Sequence, residues 1–77
     1  MKVKNIGSNQ TEIEVGEKTV LVSYETPVAC HIQGEGYYRT EEKFSVTTSR
    51  HINKWLASNG AHEVTEKPQE FFDKLLT

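Results

Sequence analysis

The sequence predicts an α+β fold: a small antiparallel β-sheet of about four strands, with a short fifth, packed by two C-terminal helices in the order β-β-β-β-α-(β)-α. Three observations predict it. The first forty or so residues alternate polar and apolar side chains in short runs separated by turn-rich stretches, the pattern of half-buried strands. From Thr47 onward apolar residues recur at three- and four-residue spacing, the helical period, and they do so again beyond Pro68. Finally, 77 residues suffice for one small domain, 1–77, and the chain has no repeat, no low-complexity stretch and no linker long enough to divide it.

Each element has its own signal. Residues 2–6 and 11–15 alternate around the turn-forming Gly7-Ser8-Asn9-Gln10, giving two half-buried strands. Gly16-Glu17-Lys18 is a second turn, after which Thr19 to Ile32 reads as one long strand or two collinear ones, with Val20, Val22 and Tyr24 on a shared face. Pro27 lacks an amide hydrogen and restricts Thr26, so a bulge, edge position or bend is expected near 26–27. Gly34-Glu35-Gly36 reverses the chain, and Tyr37–Thr40 pairs back on 28–32 as a hairpin. Phe44-Ser45-Val46 is a short piece whose apolar residues seal the end of the sheet. A helix then starts at Thr47-Thr48, where either hydroxyl serves as N-cap, and ends at the left-handed C-cap Asn59-Gly60. Its apolar stripe is Ile52, Trp55 and Leu56. Residues 61–65 return as a short edge strand, and Pro68 sits in the first turn of a second helix that buries Phe71, Phe72, Leu75 and Leu76. One face of the sheet is thereby covered.

The expected core is Ile13, Val15, Val20, Val22, Val28, Cys30, Ile32, Phe44, Val46, Ile52, Trp55, Leu56, Phe72 and Leu75. At about 1.5–3 kcal/mol per large apolar side chain, opposed by comparable ordering entropy, it supports a net stability of only a few kcal/mol. A homodimer would supplement it.

Composition narrows the function. Nine Lys and Arg against eleven Asp and Glu leave a net charge of −2, interspersed along the chain, which argues against nonspecific nucleic-acid binding. The densest acidic stretch, Glu41-Glu42 beside Lys43, is too short to mimic a nucleic-acid backbone. No apolar run spans a bilayer and no secretory leader is visible, so no membrane role is expected. The lone Cys30 makes no internal disulfide and fits a reducing, cytoplasmic compartment.

The chemistry-bearing residues are few. Cys30 and His31 are neighbours on a strand and point to opposite faces, so they make no nucleophile–base pair; Cys30 is expected in the core. Three histidines and one cysteine lack any metal-ligand spacing, and neither a metal nor a cofactor is expected. With no acid/base pair and no phosphate loop, the chain is expected not to be an enzyme. Two groups of binding residues stand out. Thr47, Thr48, Arg50 and His51 combine hydroxyls and cationic side chains at a helix start, where amide hydrogens favour an anion; Asn53 and Lys54 continue that helix. Tyr37, Tyr38 and Arg39 bring aromatics and a cation to a hairpin tip, a composition favoured at protein interfaces and able to stack on bases.

Residues 20–56 contain Ser23-Tyr24-Glu25-Thr26-Pro27-Val28-Ala29, then Tyr37-Tyr38-Arg39-Thr40, then Ser45-Val46-Thr47-Thr48-Ser49-Arg50-His51-Ile52-Asn53-Lys54-Trp55-Leu56. This succession resembles a family of small uncharacterised proteins of tailed bacteriophages and prophages, with the pattern SYxTPVA, YxRT and SxTTSxHINxWL. The resemblance implies a phage-borne origin and a bacterial host cytoplasm, and it supplies no activity. It groups Thr47, Thr48, His51, Asn53 and Trp55 in one motif, and packing on the apolar stripe accounts only for Trp55. The leading expectation is a noncatalytic phage accessory protein that binds and modulates a host or phage protein, an inhibitor of a bacterial defence system being one form by analogy of size and origin. The alternative is a small nucleic-acid- or nucleotide-binding regulator that uses the first helix with Tyr37 or Tyr38.

Overall fold

Turn chemistry divides the first forty residues into five strands: β1 (Lys2–Gly7), β2 (Gln10–Val15), β3 (Lys18–Ser23), β4 (Thr26–Ile32) and β5 (Gly36–Thr40). Helix α1 (Val46–Ser58), strand β6 (Val64–Lys67) and the short helix α2 (Gln69–Asp73) complete the chain in the computed structural model. It describes residues 1–76, and Thr77, the last residue of the expected 1–77 domain, lies outside the described residues. The six strands form one sheet in sequence order. Every neighbouring pair is antiparallel except β5 and β6. Those two are parallel, joined by α1 as the crossover that a parallel pair requires.

The predicted α+β class holds, with one strand more than expected ahead of α1. The stretch from Thr19 to Ile32 is a hairpin, not a long strand or two collinear ones. The chain turns at Tyr24-Glu25, where Tyr24 has a φ of +59° and donates its amide hydrogen to the Asn9 carbonyl at 2.7 Å. Tyr24 is therefore exposed at the turn and does not share the face of Val20 and Val22. The irregularity expected near Pro27 is a bulge: Leu21 opposes Ala29 while Val22 opposes Pro27, leaving Val28 as the extra residue.

The start of α1 also differs from expectation. Ser45, not Thr47 or Thr48, is the N-cap: it has extended φ/ψ and its Oγ accepts the Thr48 amide hydrogen at 3.1 Å. Helical geometry from Val46 onward turns that side chain to solvent, and Phe44 and Val46 are exposed instead of sealing the sheet. The C-terminus is as predicted. Gly60 takes a φ of +69°, the Gly60 amide donates to Ala57 O at 3.1 Å and the Ala61 amide to Leu56 O at 3.0 Å, which together make a Schellman motif. Strand β6 lies two to three residues later than the expected 61–65 and is indeed at the sheet edge.

The two helices do not share a face. Ile52, Trp55 and Leu56 of α1 pack on Leu21, Val28 and Ala29. Phe72 of α2 packs on Val20 and Cys30, flanked by Val22, Ile32, Tyr38, Phe71 and Leu75. Val20 and Leu21 are consecutive strand residues and point to opposite sides, so the sheet is sandwiched between α1 and α2, and the expectation of one covered face is corrected. Leu21 and Ala29 thus join the core. Ile13 and Val15 are only half-buried and belong to neither of the two core clusters. Among the described residues no helix is long and apolar enough to cross a membrane.

Candidate interaction surface at the start of the long helix

The N-cap of α1 begins a chain of polar side chains that runs into the protein. Ser45 Oγ donates to Thr48 Oγ1 at 3.3 Å. Thr48 Oγ1 and Ser23 Oγ share a hydrogen bond at 3.2 Å, and Ser23 Oγ meets His51 Nδ1 at 2.8 Å. Thr48 and His51 fall one helical turn apart, and Ser23 is the last residue of β3, so the hairpin end is tied to the first two turns of α1. The Ser23–His51 distance suits a nucleophile and base, but Ser23 is only 2 % exposed and its hydroxyl is shared with Thr48. The contact satisfies buried polar groups and locks hairpin to helix.

Above this chain lies an apolar surface. Tyr24 is 51 % exposed, Phe44 48 % and Val46 71 %. Tyr24 and Phe44 line one groove of about 310 Å³ whose floor is Ser23, Val28 and Thr48. Phe44 and Val46 line a second, of about 380 Å³, that continues over Ser49 and Ile52 to Arg39 and Glu66. Phe44 stands between the two. The Tyr24 ring sits 5.9 Å from the His51 ring.

The sequence-predicted residues distribute around this surface unevenly. Thr48 and His51 are in the buried chain, whereas Thr47 and Arg50 on the same helix are exposed, as is Lys54. Asn53 Oδ1 accepts from Arg39 Nη1 at 3.0 Å, linking the first helix to β5. Tyr37 and Tyr38 point to opposite faces. Tyr37 packs between His31 at 4.5 Å and Trp55 at 5.9 Å under α1. Tyr38 lies under α2, 5.3 Å from Phe71, with Lys67 Nζ 5.7 Å from its ring centroid. Its hydroxyl donates to Glu35 Oε1 at 3.0 Å, which raises its pKa above the ordinary tyrosine value. Trp55 Nε1 donates to Glu12 Oε1 at 2.9 Å, fastening α1 to β2.

The surface joins stretches far apart in sequence. Ser23 and Tyr24 come from the SYxTPVA stretch, Arg39 from YxRT, and Ser45, Thr48, His51 and Asn53 from the helix stretch. Sequence reasoning missed Tyr24, Phe44 and Val46 as surface residues because each fitted an alternating apolar pattern; the available signal was Ser45, a good N-cap residue just ahead of the helix. Cys30 is fully buried between Val20 and Phe72, and burial pushes its thiol up to about 12. Among the described residues no group of three or more His, Cys, Asp or Glu side chains is placed to hold a metal ion.

Compared with known proteins, residues 1–74 match a family of unknown function (DUF8033). No curated protein and no solved structure matches the chain.

Proposed function

We propose that this chain, which belongs to that family of unknown function, is a noncatalytic binding module that docks on a partner protein through Tyr24, Phe44 and Val46. The observation that carries the reading is the cluster itself: two aromatics and a valine, each about half exposed or more, stand around two adjoining grooves on a scaffold braced by buried hydrogen bonds. Exposed apolar residues scattered singly need no explanation, but a contiguous group beside a concavity marks a docking surface. The backbone strain at Tyr24 points the same way, since a tyrosine at positive φ persists only where its surroundings hold it. Together with the phage-like motif succession, this supports a phage accessory protein acting in the bacterial host cytoplasm, where it binds and modulates a host or phage protein; inhibition of a defence system is the form that its size suggests. The nucleic-acid alternative is less favoured because Asn53 is engaged by Arg39 and Glu41, Glu42 and Glu66 flank the helix start.

The test is capture of partners from host lysate on the tagged protein, with and without nuclease, in parallel with a Phe44→Ser/Val46→Ser variant. A stoichiometric protein that survives nuclease and is lost by the variant is the expected result. Recovery that disappears with nuclease, or that ignores the variant, would overturn the reading.

A further inference from the structure

The charges around the grooves are not balanced. Glu41, Glu42 and Glu66 line the larger groove and Glu25 stands beside Tyr24, all of them exposed. Against the three carboxylates of the larger groove stand Lys43 and Arg39, which leaves an excess of negative charge there, and Glu25 adds a carboxylate outside the grooves on the Tyr24 side. The exposed cations of α1, Arg50 and Lys54, line neither groove. An acidic rim around an apolar centre repels an acidic ligand and attracts a cationic one, and it does so through on-rate and salt dependence, while the apolar centre sets the off-rate.

We infer that the segment seated on this surface is a basic peptide stretch of the partner protein, with one bulky apolar side chain in the groove beside Phe44 and flanking lysines or arginines against Glu41, Glu42 and Glu66. This rests on the docking reading above and adds the chemistry of the occupant.

A library of random dodecapeptides displayed for selection tests it without knowledge of the natural partner. The wild-type chain is panned alongside Phe44→Ser/Val46→Ser and Glu41→Gln/Glu42→Gln/Glu66→Gln, all exposed positions, with circular dichroism confirming each fold. Peptides enriched only on proteins that retain Phe44 and Val46 are expected to carry an apolar residue flanked by Lys or Arg. As synthetic peptides they are expected to lose about tenfold in affinity on the glutamine variant and to bind less tightly as salt is raised. Enrichment of neutral or acidic peptides that still depends on Phe44 overturns the basic-segment inference and leaves the docking surface standing. Equal affinity for the glutamine variant overturns the inference as well, and an absence of any Phe44-dependent enrichment removes both.

Discussion

Tyr24 occupies a backbone conformation that side chains with a Cβ reach only against steric resistance, with φ at +59° in the turn between β3 and β4. Its ring is half exposed and gives little back in burial. Asparagine tolerates that region better, so Tyr24→Asn is expected to raise stability by about 1 kcal/mol in a urea titration while abolishing partner capture. A loss of stability would show that the ring contact with His51 outweighs the strain. Cys30 is the other residue with a sharp expectation. Its pKa is raised from 9.0 to about 12, first by burial and secondarily by the charge of Glu35, with Lys18 opposing. The unfolded thiol therefore loses its proton first. The stability that this thiol contributes is complete below pH 9 and is lost as pH rises through the window from 9 to about 12. A Cys30→Ala variant is expected to lack that part of the alkaline decline, which paired urea titrations across the window would reveal. Native Cys30 is likewise expected to react with a thiol reagent only at the rate at which the protein opens.

Among the elements, α1 depends on one hydroxyl outside it. Ser45 Oγ satisfies the Thr48 amide and also donates to the Thr48 hydroxyl, whereas Thr47 is exposed and makes no cap. Ser45→Ala is expected to cost about 1 kcal/mol and Thr47→Ala a few tenths, measured by thermal or urea unfolding; the reverse order would move the cap back to Thr47. The comparison shows what sequence could deliver about this element. The stripe Ile52, Trp55, Leu56 and the Asn59-Gly60 terminus were legible because period and glycine chemistry are local. The cap was not, because three hydroxyl-bearing choices, Ser45, Thr47 and Thr48, sit within four residues and only the path of the preceding loop selects one. The β3–β4 turn was illegible for a related reason: Tyr24-Glu25 has none of the glycine or asparagine that ordinarily announces a tight reversal. The interaction surface inherits both gaps, since Tyr24 lies in the unannounced turn and Phe44 and Val46 flank Ser45, the cap that the hydroxyl-rich stretch conceals.

At the scale of the whole molecule, the consequential feature is that the sheet is buried on both sides by helices of very unequal size. Alternation along a strand implies a single buried face, with both helices on it. The runs Val20-Leu21-Val22 and Val28-Ala29-Cys30 carried the other message, because continuous apolar strands are those covered on both faces. Helix α1 has 13 residues and a complete set of caps, but α2 has five and no side-chain cap at its N-terminus. A helix of that length does not persist alone in water, so tertiary contacts must hold it. Those contacts are Phe72, fully buried on Val20 and Cys30, its edge-on packing with Phe71 at 5.1 Å, and the Gln69 amide donating to Pro27 O at 2.7 Å. Phe72 is thus the only fully buried residue that α2 brings to its face of the sheet. Phe72→Ala is expected to cost about 3–5 kcal/mol, comparable to the entire stability of a domain this small, and so to leave the chain largely unfolded at room temperature. Leu76→Ala, at an exposed position beyond the helix, is expected to be nearly silent. Circular dichroism with a urea titration of the two variants decides the matter. If Phe72→Ala loses less than about 1 kcal/mol, α1 and its side of the sheet are sufficient to hold the fold, and the second face is a covering rather than a core.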